Sequence, residues 1–134
     1  MVDFTDLKLE YQGSTLATRR SSLQKHPHLA RRAVRAIVRG VHLSNSRKEE
    51  TMRIPAKFLG AKDREALEES WQYAAKMPAK PYAVESAVQA VLDHLAEGQP
   101  RFAERRPAEF IAADILGEID KSGFIDKLYG GQAK

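Results

Sequence analysis

Between Pro27 and Leu43 the apolar residues Ala30, Ala33, Val34, Ile37, Val38 and Val41 fall three, one, three, one and three positions apart. Only an α-helix puts residues with that spacing on one stripe, and a stripe this clean must be covered by something. A proline opens the segment, at the one helical position where a missing N–H costs nothing. Arg32, Arg35, Arg39 and His42 take the opposite face, and Ser44-Asn45-Ser46 supplies a polar stop. The same period returns in Val84, Ala87, Val88, Val91, Leu92 and Leu95, halted at Gly98. Two such stripes in a chain of 134 residues commit most of it to helix packing.

Between them the pattern continues. Ser46 and Glu49 match a capping box and predict a helix over 47–59, with Met52, Ala56, Leu59 and neighbouring Phe58 on its buried side. Pro55 lies inside it and predicts a kink or a break after Ile54. Gly60 is placed to end it. Asp63 is a cap for a helix reaching to about Lys76, with Ala66, Leu67, Trp71 and Ala74 inward. Two prolines in Met77–Tyr82 predict an extended connector. Beyond Pro100 short helical turns are expected: Pro107 to about Ile119, a stop at Gly123, then Phe124 to Tyr129.

The N-terminus reads differently. Leu7, Leu9 and Tyr11 alternate with Asp6, Lys8 and Glu10, the period of a half-buried strand. Gly13 breaks it, and Ser14 to Thr18 reads as a second extended piece or a turn. The fold class expected is therefore mainly α with one or two short N-terminal strands. It forms a single helix-rich domain over 1–134: a strand region at 1–20, helices over 21–129 and a frayed tail at 130–134. A chain of this length buries roughly two thirds of its unfolded surface, enough for a real core.

Chemistry is sparse. With no cysteine, thiol nucleophiles and thiolate metal sites are excluded. No stretch has the ~18 consecutive apolar residues of a membrane-spanning helix. His26 and His28 flank Pro27 at a helix start, with His42 about four turns downstream, and are expected to be a structural pair. Glu49/Glu50, Glu68/Glu69 and Glu118/Asp120 lie too close in sequence to face each other across a cleft as hydrolytic acids do. Neither a nucleophile elbow nor a phosphate-binding glycine loop occurs.

Charge is uneven: residues 1–64 hold 14 Lys/Arg against 6 Asp/Glu, and residues 65–134 hold 8 against 12. The arginines of the first stripe could follow phosphates, yet that helix has no aromatic residue on which a base could stack. A solvated face is the expectation. Gly13-Ser14-Thr15, with Thr18-Arg19-Arg20 close behind, is the one other group that could receive an anion, although a strand-end turn followed by exposed arginines is the expectation.

The order of segments resembles a known family. Tyr11-Gln-Gly-Ser-Thr-Leu-Ala-Thr-Arg-Arg-Ser-Ser-Leu-Gln-Lys-His-Pro27 runs into an apolar helix. A Ser46-Arg-Lys-Glu-Glu-Thr51 helix and a Lys57-Phe-Leu-Gly60 stop follow. Then come a Trp/Tyr helix, a Pro81-Tyr82 connector, Val88-Gln-Ala-Val-Leu-Asp-His-Leu-Ala96 and the closing Asp120-Lys-Ser-Gly-Phe-Ile-Asp-Lys-Leu-Tyr129. This ordered set, over nearly the whole chain, is similar to the C-terminal portion of solute-binding proteins of ABC importers. The nearest branch handles sulfonates, taurine, nitrate and thiamine-pyrimidine precursors.

The resemblance implies the last part of a two-lobed α/β periplasmic-binding-protein fold and a binding function without catalysis. It implies a small anionic or heterocyclic organic solute and delivery to an ABC permease. Neither cofactor nor metal is expected. Tyr11, Gln12, Ser14 and Thr15 would lie near the cleft, and the helices would be scaffold. Such a segment, cut from the lobe that precedes it, is expected to pair with that lobe or with itself as a two-fold dimer. The family works in the periplasm or outside the cytoplasm. Met1-Val-Asp-Phe-Thr-Asp has no basic and then apolar run of an export signal, so a cytoplasmic location is expected for the chain as it stands. The alternative is a small basic helical module that binds nucleic acid through Arg32, Arg35 and Arg39, or a protein partner. No specific nucleic-acid site is expected.

Overall fold

The computed structural model describes residues 14–131. Its helices are α1 (Arg20–Lys25), α2 (Pro27–Ser46), α3 (Lys48–Phe58), α4 (Arg64–Ala74), α5 (Glu85–Gly98), α6 (Ala113–Lys121) and α7 (Phe124–Leu128). Two short 3-10 helices, Pro100–Phe102 and Pro107–Glu109, lie between α5 and α6. The chain is mainly helical, with no strand among the described residues. The strand expected over Leu7–Tyr11 lies outside them, as do Tyr11, Gln12 and the last three residues of the tail. Among the described residues no helix is long and apolar enough to cross a membrane.

The described chain falls into two compact units: residues 14–19 with Tyr82–Asp114, and Arg20–Pro81 with the chain from Ile115 onward. In the first, α5 packs against both 3-10 helices, and Ala87 and Leu92 are its buried residues. Val84 does not join that stripe: it is the residue that precedes α5, and it is half exposed.

The second unit is built around α2. Val38 packs with Leu116 and Ile119 of α6 and Ile125 of α7, and Val34, Ile115, Phe124, Leu128 and Tyr129 close around them. Further along, α2 meets α3 and α4, and the Trp71 indole N–H donates to the Ser44 carbonyl at 3.0 Å. Gly123, at φ 71°, makes the left-handed turn between α6 and α7 that brings Ile125 back to the core.

Four expectations need correction here. Helix α2 runs on to Ser46, whose Oγ donates to the His42 carbonyl at 2.6 Å. Ser46 therefore does not cap α3; Arg47 precedes that helix with no side-chain cap. Pro55 neither breaks nor ends α3, which continues to Phe58. The lost backbone bond is one of many in a helix anchored by buried Met52 and packed on both α2 and α4. The apolar stripe is narrower than its periodicity suggests: Ile37 is 51% exposed, Phe58 75% and Leu59 81%, and Ala66 faces solvent. Asp63 does cap α4, accepting from the backbone N–H of Glu65 at 2.9 Å and of Ala66 at 3.4 Å, a contact worth about 1 kcal/mol.

Candidate functional site

The segment before α1 carries Ser14 at a bend and Thr15–Arg19 without regular structure, all solvent exposed. Of the four residues the resemblance places near a ligand, Ser14 and Thr15 are exposed, and Tyr11 and Gln12 lie outside the described residues.

A more organised group lies on α2. Arg32, Arg35 and Arg39 all face solvent and, with Ala36, line a shallow open depression of about 510 Å³. The sequence reading missed their partner. The Arg35 guanidinium lies 4.2 Å and that of Arg39 5.4 Å from the ring centre of Phe124, contributed by α7. No local signal announces it, because the two ends of the contact are separated by most of the chain. Each such cation–π contact at an exposed site is worth about 0.5–1 kcal/mol and holds the guanidinium plane in place. Among the described residues no carboxylate forms an ion pair with Arg32, Arg35 or Arg39. Arg31, one residue away, does have one: its Nε reaches Glu118 Oε2 at 2.8 Å.

His42 does not extend the arginine face. It is half-buried and sets its ring edge-to-face on Tyr129, with centroids 4.7 Å apart. The Tyr129 hydroxyl accepts from Asn45 Nδ2 at 3.1 Å, and the same amide donates to the Met77 carbonyl. Burial pushes the Tyr129 phenol up, opposed by the Asn45 hydrogen bond. His26 and His28 touch edge-to-face, with centroids 6.2 Å apart. No group of three or more His, Asp or Glu side chains converges as a metal site among the described residues.

Most of the paired carboxylates belong to ion pairs. Glu68 meets Lys48 at 2.9 Å, Glu49 meets Arg64 at 3.3 Å and Glu50 meets Arg47 at 2.7 Å. Lys80, in the Pro–Tyr connector, bridges Asp120 at 2.8 Å and Asp126 at 3.5 Å, tying the connector to α6 and α7. The hydrogen bond to Asp120 is the main cause raising the Lys80 ammonium. Hydrogen bonds from Arg31 and Lys48 are likewise the main causes that hold Glu118 and Glu68 below the ordinary carboxylate range.

Depressed carboxylate pKa values stabilise the fold at and above the ordinary glutamate range, and that contribution is lost as pH falls through the lower, folded-state values. Urea unfolding followed down an acid series should show the midpoint falling there. Glu118→Gln should flatten that fall while changing the midpoint little at neutral pH, because the pair is exposed. An unchanged acid slope in Glu118→Gln would remove Arg31–Glu118 from the account.

No protein family, curated protein or solved structure matches the chain.

Proposed function

We propose that this chain is a segment of a solute-binding protein of an ABC importer, binding a small anionic or heterocyclic organic solute and handing it to a permease. It performs no chemistry on that solute and needs no cofactor. In this reading the second unit is scaffold, and Tyr11, Gln12, Ser14 and Thr15 meet the solute. The observation that carries the proposal is the way the closing segment is built in. Asp120 to Tyr129, the stretch that weighs most in the resemblance, holds fully buried Ile125. It is also tied through Lys80 to the Pro81-Tyr82 connector, the other signature feature of the set.

Ser14 and Thr15 offer two hydroxyls, each donor and acceptor, on an exposed segment. Such groups recognise a sulfonate, a nitrate or a ring nitrogen equally well, so they define the ligand class and not the individual ligand. Titration calorimetry of the chain with taurine, an alkanesulfonate, nitrate and a hydroxymethylpyrimidine tests this. One of them should bind saturably, and Ser14→Ala with Thr15→Ala should weaken it by about tenfold, as expected for loss of about 1.4 kcal/mol of hydrogen bonding. A folded chain that binds none of the four would overturn the function; binding untouched by the two substitutions would overturn the site alone.

A further inference from the structure

We propose that the arginine face of α2 is a binding track for a linear oligophosphate, built from residues other than those of the proposed solute site. Helix α2 contains no Asp or Glu in its 20 residues, so nothing on the helix itself offsets its arginines. At 100° per residue, Arg32, Arg35 and Arg39 fall within an arc of roughly 60°, and the first and last lie ~10 Å apart along the axis. Like charges at these spacings destabilise a helix, and among the described residues no carboxylate pairs with these three. A bound polyanion relieves that repulsion.

The shape selects the ligand. The depression is shallow and open, lined among the described residues by Arg32, Arg35, Ala36 and Arg39, which suits a chain of charge laid across the surface and gives no enclosure to a compact organic molecule. Arg35 and Arg39 stack on Phe124, which leaves their planar edges to donate to phosphate oxygens, the geometry guanidinium recognises best. The same stacking occupies Phe124, so it offers no free platform to a nucleobase. The three arginines donate in forks that match phosphate oxygens, and among the lining residues no aromatic side chain is offered on which a base could stack. Phosphates without bases are the match.

Fluorescence anisotropy with labelled linear polyphosphate, at several salt concentrations, tests the track on the intact chain. Affinity should fall with salt on a log–log slope near −2, about −0.7 for each of three phosphates on a single-chain polyanion. Arg32→Gln combined with Arg39→Gln should lower affinity at least tenfold and flatten the slope. Arg53→Gln combined with Arg101→Gln removes the same charge elsewhere and should change affinity by less than twofold. Circular dichroism checks that both variants keep their helices. Equal losses in the two double variants would reduce the effect to net charge and overturn the site, as would no binding at low salt. Tighter binding of duplex DNA carrying the same number of phosphates would overturn the ligand class in favour of nucleic acid.

Discussion

Val38→Asp is expected to leave the chain largely unfolded at room temperature, while Ile37→Asp, one position away, is expected to cost under about 1 kcal/mol. Successive helical residues point about 100° apart, and here that rotation separates the inside of the molecule from the outside. Val38 is 0% exposed and touches Leu116, Ile119 and Ile125; Ile37 is 51% exposed. An aspartate at 38 would be a charge without a partner among aliphatic side chains, a loss of several kcal/mol at least. Total stability in proteins of this kind is only about 5–15 kcal/mol, so that loss consumes most of it. At 37 the new carboxylate stays in water. Urea denaturation followed by circular dichroism separates the two. Similar losses for both would mean that the buried face of α2 has been drawn in the wrong place.

The contrast also marks how far the sequence carries. The spacing of Ala30 to Val41 locates a helix and its buried side, but it allots Ile37 to that side together with Val38. Periodicity reports a broad arc; which residues at its edges are covered depends on neighbours that arrive from elsewhere in the chain. Those neighbours are α6 and α7, about 80 positions downstream, and they cover Val38 and leave Ile37 out. Phe58 and Leu59 likewise stand exposed, at the end of α3. Local chemistry read more truly: the Asp63 cap, the start of α2 at Pro27 and the turn at Gly123 each depend on a few adjacent residues. The candidate sites divide in the same way. The arginines of α2 are legible as a solvated stripe, and they are exposed in the structure; the ring that meets two of them is not legible, because Phe124 lies far away in sequence. The bridge from Lys80 to Asp120 and Asp126 was invisible for the same reason.

Ile125→Ala should destabilise the chain by about 2–5 kcal/mol, against about 1 kcal/mol for Ile125→Val. Helix α7 has five residues, far below the length at which a helix persists on its own propensity. Its order therefore rests on what it buries, and Ile125, 0% exposed, is its one buried residue. Removing three carbons there forfeits their transfer energy and leaves a void beside Val38, Leu116 and Ile119. The consequences should spread along α7. Asp126 helps to hold Lys80, Tyr129 receives the Asn45 amide, and Phe124 carries Arg35 and Arg39. In Ile125→Ala the backbone amides of 125–129 should exchange with solvent faster by more than the global loss of stability accounts for, because α7 then opens before the rest. Ile125→Val should keep the native pattern of protection with only a small uniform drop. If Ile125→Ala instead costs under about 1 kcal/mol and leaves those amides protected, α7 is held by its polar ties and not by Ile125, and the cluster at its base is Val38, Leu116 and Ile119.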